Sequence, residues 1–349
     1  MGLKTPNNFD DYHNNGPTGL PIMQRQLQIW QLINKSIEAN IHVMLLYVLE
    51  SKGSSPGRQG FFMTVNAKGE MEGSIGGGIM EHKFIEMAKE RLRVQGGKAQ
   101  ELRRQIHDKS SATNQSGMIC SGEQTILLYP VQQKDAGTVK TIIYSLEQNK
   151  NGTLILSPPG LQFENNILPK DFEYDFQSEE NWSYKERTGY KNKLFIIGGG
   201  HCALAFSKLM AGMDFYITLY EEREGLNTVL QNEFAHEINI VDDYTALSNL
   251  IPSGPNQYAV IMTFGYRTDD IALRSLIDKT FTYLGVLGSK KKMEKLFTDY
   301  KADGISDTVL QRIRTPIGLA ISSQTPEEIA VSIAAEIIRV KNSQATKQH

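Results

Sequence analysis

The alternation of short apolar strands with helical stretches after Lys193 is the feature that most constrains this chain. Parallel strands joined by crossover helices give this spacing, and a doubly wound sheet results when the units repeat. The apolar segments recur at residues 194–197, 215–219, 238–241, 258–262 and 283–287. The sequence therefore predicts an α/β protein whose C-terminal domain, residues 192–349, is a Rossmann-like doubly wound parallel sheet.

The first of these segments runs into Gly198-Gly199-Gly200-His201-Cys202-Ala203, a Gly-x-Gly-x-x-Ala form of the dinucleotide fingerprint. Gly198 permits a tight turn, and Gly200 lets a phosphate approach the free amides of the following helix. Glu221 follows the second strand about twenty residues later, where a ribose-binding acid belongs. The loop suits a phosphate-bearing ligand such as NAD(P). The alternative, favoured over NAD(P) binding, is a turn that only shapes an empty fold. His201 either contacts that ligand or caps the turn.

A second glycine loop follows the last parallel strand, on the side where such sheets bind ligands. Gly288 and Ser289 offer backbone amides and a hydroxyl to a phosphate. Lys291 and Lys292 either add positive charge to that site or form the solvated start of a helix. The sequence alone leaves both alternatives open for the lysines.

Residues 21–157 mix helical and strand patterns, which indicates a separate N-terminal α+β domain. Helices are predicted at 22–37 and 79–94, and strands at 41–49, 61–65, 71–75, 101–106 and 124–129. Residues 1–20, rich in Asn, Asp and Gly, are expected to form a flexible tail. Residues 158–191 are acidic and aromatic with little periodicity, so they are expected to form a connector between the domains.

The N-terminal domain has its own glycine run, Gly76-Gly77-Gly78, which leads from a strand into a helix. Successive glycines destabilise regular structure, so we predict that this run allows close approach of a ligand or of the other domain. Glu81 falls in the first turn of the helix. It either contributes to the same site or is a surface acid that matches the helix dipole.

The chain contains only two cysteines, Cys120 and Cys202, which is typical of a reducing compartment and excludes a disulfide scaffold. An iron-sulfur cluster takes about four thiolates, so an all-cysteine cluster is excluded as well. Cys120 lies in a Gly- and Ser-flanked loop, where a functional thiol and a packing residue are both open; Cys202 is expected to pack. With a net charge of -2 and no long apolar run, we predict a cytoplasmic protein that binds neither nucleic acid nor membrane.

The sequence contains no His-Glu-x-x-His motif, no Cys-x-x-Cys pair and no Walker loop. These are the signatures of metal-dependent hydrolysis, thiol redox chemistry and nucleotide hydrolysis, in that order. A chain rich in glycine loops and poor in catalytic motifs is predicted to be a binding protein.

Taken in order along the chain, these motifs resemble the xanthine dehydrogenase accessory family, XdhC/CoxI. The resemblance covers nearly the whole chain, and its motifs occur in the order of the family. The matching stretches are Gly53-Ser54-Ser55-Pro56, Gly73-Ser74-Ile75-Gly76-Gly77-Gly78 with Glu81, Met118-Ile119-Cys120, Gly198-Gly199-Gly200-His201, Gly285-Val286-Leu287-Gly288-Ser289, and Pro316-Ile317-Gly318-Leu319 with Thr325-Pro326-Glu327-Glu328-Ile329-Ala330.

The resemblance implies a chaperone that binds the molybdenum cofactor (molybdopterin), protects it during sulfuration and passes it to a molybdenum hydroxylase client. It also implies a cofactor sulfurase as a partner, and it makes a homodimer plausible. Cys120 would then lie near the molybdenum or its sulfur. The residues implied to bind the cofactor are Ser54, Ser55, Gly76, Gly77, Gly78, Glu81, Cys120, Gly198, Gly200, His201, Glu221, Arg223, Gly288 and Ser289.

The sequence departs from the family pattern at three places. Ser121 stands where relatives tend to have glycine, and Phe264 stands where they tend to have histidine after the fourth Rossmann strand. The acidic Asp-x-Arg element is present as Glu221-Glu222-Arg223. A histidine that could bond or ligate has therefore become apolar in this chain.

Two other functions compete with the chaperone. The first is an NAD(P)-dependent oxidoreductase that would use Gly198, Gly200 and Glu221 for the dinucleotide, although no obvious proton donor accompanies them. The second is a scaffold for the hydroxylase or sulfurase with no ligand, which leaves the glycine run at residues 76–78 unexplained.

Overall fold

The computed structural model describes residues 22–94, 100–106 and 122–345. By contact density the chain divides into two compact units, Met1–Gly189 and Tyr190–His349. The boundary lies close to the predicted start of the Rossmann domain. It lies well after the predicted end of the N-terminal domain, because the strands between residues 152 and 188 form a second sheet in the first unit.

The N-terminal unit begins with an antiparallel sheet in the order β3-β2-β1-β5-β4, five strands among the described residues. Its elements are α1 (Ile22–Glu38), β1 (Val43–Gly53), β2 (Phe62–Asn66), β3 (Met71–Gly73), α2 (Gly78–Arg93), β4 (Glu101–Ile106) and β5 (Gly122–Val131). Residues 43–49 of β1 are all buried because α1 and α2 cover opposite faces of the sheet. This explains the unbroken apolar run in the sequence.

A second antiparallel sheet follows, in the order β7-β6-β9-β8. Its elements, after α3 (Ala136–Glu147), are β6 (Gly152–Ser157), β7 (Gly160–Glu164), β8 (Phe172–Ser178) and β9 (Asn181–Thr188). The predicted connector at 158–191 is therefore wrong, since most of that segment forms strands of this sheet. In β9 the alternating positions Trp182, Tyr184 and Glu186 are all buried. The strand period is present, but a buried carboxylate interrupts its apolar pattern.

The C-terminal unit contains a parallel sheet in the order β12-β11-β10-β13-β14-β15, six strands among the described residues. This confirms the predicted Rossmann-like sheet. The elements are β10 (Asn192–Ile197), α4 (His201–Met210), β11 (Phe215–Glu221), α5 (Asn227–Leu230), β12 (Glu237–Ile240), α6 (Leu247–Leu250), β13 (Gln257–Ile261), α7 (Tyr266–Leu276), β14 (Tyr283–Val286), α8 (Lys290–Ala302), α9 (Asp307–Leu310), β15 (Ile313–Arg314) and α10 (Pro326–Ala345).

The sheet has a core on each face. Leu194 and Ile196 of β10 point into one core with α4 and α10, whereas Phe195 and Ile197 point into the other with α7 and α8. Strands β10 and β13 are neighbours, yet the helices that follow them lie on opposite faces. Their loops diverge at the carboxyl edge, and this is the topological switch point at which open α/β sheets bind ligands.

The helices in the described ranges do not have the character of membrane spans. None of them is both long and apolar enough to cross a bilayer. This agrees with the absence of a long apolar run in the sequence.

Candidate functional site

The glycine loop after β10 is shaped by close packing at its first two residues and is open at the third. Gly198 has φ +105°, and a Cβ there would lie 2.5 Å from the carbonyl oxygen of Met262. A Cβ on Gly199 would lie 2.3 Å from a methyl group of Val229. Gly200 has nothing within 4 Å of such a Cβ, and it begins α4 without a side-chain cap. The predicted approach of a phosphate is therefore sterically open at Gly200.

Glu221 does not project from the end of β11 toward a ligand. Its carboxylate is buried and accepts the amide of Gly199 at 2.6 Å. It also accepts the Arg223 guanidinium at 2.8 and 2.9 Å and the amides of Glu222 and Arg223 at 3.0 Å. Burial alone would raise its pKa, but the bonds from Arg223 and Gly199 hold the pKa below its usual value. Glu221 is therefore an internal anchor of the glycine loop.

Arg223 and Phe264 form a pair at the same edge of the sheet. The guanidinium carbon of Arg223 lies 4.7 Å from the centroid of the Phe264 ring, which is a cation-π distance. Phe264 is 64% exposed, unusually high for a large apolar side chain. The departure from histidine at this position thus places an accessible aromatic ring beside the glycine loop.

The loop after β13 is held by Asp269, a residue that no sequence motif singles out. Its buried carboxylate accepts the amide of Thr263 at 3.1 Å and the hydroxyl of Thr263 at 2.5 Å. The ammonium group of Lys292 pairs with the other oxygen. Lys292 is thus neither a solvated lysine nor free to bind a phosphate. α7 begins after this loop at Tyr266, and its N-cap residue, Gly265, again provides no side-chain cap.

Gly288 and Ser289 lie at the start of α8. The hydroxyl of Ser289 accepts the amide of Lys292 at 3.3 Å, so it caps the helix. A Cβ on Gly288 would lie 3.2 Å from the side chain of Lys292. These two residues therefore shape the helix start, and Lys291 is exposed beside them.

His201 and Cys202 begin α4 next to the open glycine. The side chain of His201 is exposed, which leaves it accessible to a ligand. Cys202 packs against the apolar core under α4 and α10, and burial, helped by Glu327, raises its pKa. This is the behaviour of a packing thiol, as expected.

In the N-terminal unit, Glu81 plays the part that Glu221 plays in the other unit. One oxygen of Glu81 accepts the Ser74 hydroxyl at 2.6 Å, the Ile75 amide at 2.8 Å and the Gly77 amide at 3.0 Å. The helix that follows, α2, begins at Gly78, and its N-cap residue, Gly77, provides no side-chain cap. Both glycines have open space around them. The acid holds the loop, and the glycines present its outer side.

The loop between β1 and β2, residues 54–61, which we call the serine loop, packs directly against the glycine run at residues 76–78. A Cβ on Gly57 would lie 2.0 Å from the carbonyl oxygen of Ile75, and one on Gly76 would lie 2.3 Å from the amide nitrogen of Gly57. Ser55 is buried and donates to the Gly57 carbonyl at 3.2 Å, whereas Ser54 is exposed. The serine loop and the glycine run therefore form one surface that is lined by backbone atoms.

The start of β5 joins the same surface. A Cβ on Gly122 would lie 2.7 Å from the carbonyl group of Ser54, and the buried Gln124 amide donates to Gly57 at 2.8 Å. Cys120 and Ser121, which immediately precede Gly122 in the sequence, lie outside the described residues. The role of Cys120 therefore stays a prediction.

Four loops thus share one feature, a carboxylate outside the loop that accepts a loop amide. The fourth acid is Glu336 of α10, which accepts the Gly318 amide at 2.9 Å. The pairs are Glu81 with Gly77, Glu221 with Gly199, Asp269 with Thr263, and Glu336 with Gly318.

Family models match both units. The XdhC Rossmann domain matches residues 194–337, and the XdhC and CoxI family matches residues 36–104. The chain belongs to the XdhC and CoxI family. These matched ranges contain both glycine loops and the serine loop.

Two bacterial proteins are similar to this family member in sequence. The chain is 25% identical over 311 residues to the uncharacterized protein YqeB of Escherichia coli K12, covering 88% of this chain and 45% of YqeB. It is 26% identical over 156 residues to a protein of Bacillus subtilis 168 described as a probable xanthine dehydrogenase subunit, covering 45% of each. The chain thus spans less than half the length of these curated relatives.

A solved structure has the same fold. The crystal structure of a xanthine dehydrogenase from Bacillus halodurans matches with a TM-score of 0.65 at 23% identity. The match covers 90% of this chain and 96% of that one.

Within the part of this XdhC/CoxI chain that the structure describes, no group of His, Cys, Asp and Glu side chains could hold a metal ion.

Proposed function

We propose that this XdhC/CoxI protein binds the molybdenum cofactor and assists its sulfuration and its insertion into a xanthine dehydrogenase-type molybdenum hydroxylase. Membership of the family supports the broader role in xanthine dehydrogenase maturation. The names of the B. subtilis relative and of the B. halodurans structure point to the same client class. The observation that carries the cofactor proposal is the pair of glycine loops whose acids bond inward.

The residues present fit an anionic, phosphate-bearing pterin dithiolene. The cofactor needs backbone donors and close approach, and it would be repelled by free carboxylates. Glu81 and Glu221 each bond to the loop of their own unit, so Gly77 and Gly78 in one unit and Gly200 in the other each face open space that an anion could enter. When bound, the cofactor supplies the molybdenum that the client enzyme requires. The protein supplies amide donors and shields the cargo from water.

Cys120 and the serine loop complete the proposal. The exposed hydroxyl of Ser54 lies at the surface that Gly122 also lines. Cys120, two residues earlier in the sequence, is proposed to approach the metal or its sulfur. A sulfurase and the hydroxylase are the proposed protein partners, and a homodimer is the proposed assembly.

The competing oxidoreductase requires Glu221 to bond the ribose of a dinucleotide. In the structure Arg223 and the Gly199 amide occupy that carboxylate. A dinucleotide in the usual pose would have to displace a bidentate ion pair. This geometry favours the chaperone over the dehydrogenase.

The test is a parallel titration of the purified protein, without oxygen, with molybdenum cofactor and with NAD(P)H, followed by co-elution and thermal shift. We expect saturable retention of the cofactor. Tight NAD(P)H binding without cofactor retention would refute the chaperone and leave the dehydrogenase.

Gly77→Asp separates binding from folding. The aspartate adds charge and a side chain at the open face of the N-terminal loop, so cofactor retention is expected to be lost. Gly69→Asp is the matched control, because Gly69 also has positive φ and open space but lies in the turn between β2 and β3. If both variants retain the cofactor as the wild type does, the N-terminal loop is not its binding surface.

A further inference from the structure

An exposed aromatic ring stands at the switch point of the Rossmann sheet. Phe264 is 64% exposed, although apolar rings of this size are usually covered. The Arg223 guanidinium lies over the ring at 4.7 Å from the centroid, and most of the side chain is nevertheless exposed to solvent. Such a ring is available to a planar partner.

The backbone that carries the ring is held in place before any ligand binds. Thr263, on one side of Phe264, is held through its amide and hydroxyl by Asp269. Gly265, on the other side, accepts the hydroxyl of Thr268 at 3.0 Å. Arg223 is itself held by two bonds to Glu221. The backbone around Phe264 and the guanidinium of Arg223 are thus held without a ligand, which lowers the entropy that binding costs.

The position of the pair relative to the glycine loop follows from the strand order. Arg223 follows β11 and Phe264 follows β13, and β10 lies between these two strands. The pair therefore meets across the end of β10, where residues 198–200 turn. A Cβ on Gly198 would lie 2.9 Å from the Cα atom of Thr263, so the two loops are in contact.

We propose that Phe264, backed by Arg223, is a stacking platform for the planar nitrogen heterocycle of the ligand whose phosphate lies at the adjacent glycine loop. This rests on the proposed function and assigns the pterin ring of the cofactor to Phe264. Stacking on an aromatic side chain suits a flat bicyclic ring of this kind. A nucleotide base is flat as well, but its ribose would need Glu221, which Arg223 occupies.

The probe for this proposal is the fluorescent, oxidised, phosphate-bearing pterin obtained from the cofactor, with AMP and NAD as comparison ligands. Binding to the full-length wild-type protein is expected to quench the fluorescence of this pterin. Phe264→Leu keeps an apolar side chain but removes the ring, so the affinity should fall about tenfold. Phe264→Tyr keeps the ring and should bind within about threefold of wild type. Phe176→Leu, another exposed phenylalanine at 51%, serves as the matched control.

The outcomes separate the platform from the proposed function. Equal pterin affinity in wild type and Phe264→Leu, with intact cofactor still retained, overturns the platform and leaves the chaperone standing. Binding of AMP or NAD that depends on Phe264, without pterin binding, assigns the ring to a nucleotide and overturns the pterin proposal. If the wild type retains neither the pterin nor the intact cofactor, the proposed function itself fails. Thermal unfolding of each variant confirms that it is folded.

Discussion

Replacing Glu221 by glutamine is expected to destabilise the C-terminal unit and loosen its glycine loop together. The carboxylate is buried and accepts five hydrogen bonds from the described residues, from Gly199, Glu222 and Arg223. In glutamine one oxygen becomes an NH2 group, which is a donor facing other donors. The substitution therefore removes bonds without changing the volume of the side chain.

The magnitude follows from which bonds are lost. If the NH2 group takes the position of Oε2, the buried amide of Gly199 loses its acceptor, at about 1–3 kcal/mol. The weakened bond to Arg223 adds about 1–2 kcal/mol, because its half-exposed guanidinium recovers part of the loss from water. We therefore expect a loss of roughly 2–5 kcal/mol in the free energy of unfolding.

Urea denaturation measures this loss, and at a slope of about 1–3 kcal/mol per molar the midpoint should fall by about 1 M or more. Hydrogen exchange at the Gly199 amide should quicken in the same variant. Glu224→Gln, an exposed neighbour, is the control. A loss below about 0.5 kcal/mol with unchanged exchange would show that the carboxylate does not hold the loop.

The same residue gives a pH dependence. The pKa of Glu221 is lowered in the folded state, so its contribution is present above the pKa of the unfolded chain. It is lost as the pH falls through the folded pKa. Wild-type stability should therefore decrease in acid more steeply than that of the glutamine variant, as monitored by thermal unfolding between about pH 6 and about pH 3.

Three further predictions concern other sites. Gly200→Asp should leave the melting temperature unchanged or slightly higher, because aspartate is a good N-cap. The same variant should abolish cofactor retention, because it places a carboxylate at the open start of α4. Loss of folding in this variant would contradict the prediction. His236 accepts the Ile217 amide at Nδ1, and burial lowers the pKa of its ring. The free energy of unfolding should therefore fall as the pH drops below about 6.5, by up to roughly 1.4 kcal/mol per pH unit. His236→Gln should flatten this dependence of stability on pH. Tyr47→Phe removes a 2.6 Å bond to the buried Glu186 and should cost about 1–2 kcal/mol in urea unfolding.

The Rossmann sheet could be predicted because each of its main strands is a short apolar run that the spacing separates from the next. The short strand β15, only Ile313 and Arg314, carries no such pattern and could not be predicted. The second sheet of the N-terminal unit was missed for a different reason. Its buried positions include Glu186, whose carboxylate accepts hydrogen bonds from the hydroxyls of Tyr47 and Tyr184. Tyr47 lies far away in the sequence, and Tyr184 lies two residues earlier in the same strand.

The glycine loops of the candidate site could also be predicted, since glycine runs between a strand and a helix have few other uses. The direction of the acids could not. In the sequence Glu221 has the position of a ribose-binding acid, and Glu81 is either a site residue or a surface acid. Only the structure shows that their oxygens accept loop amides. Asp269 carries no sequence signal at all, because its partners Thr263 and Lys292 come from other elements.

The loops held by Glu81, Glu221, Asp269 and Glu336 have a consequence for how the proposed cofactor cargo would leave the protein. Loops already fixed lose little entropy when a ligand binds, but they also provide little opening motion with which to expel it. A carrier of this kind hands over its cargo by direct competition with the receiving protein. We therefore expect the rate of transfer to rise with the concentration of the acceptor, with no plateau from a slow opening step.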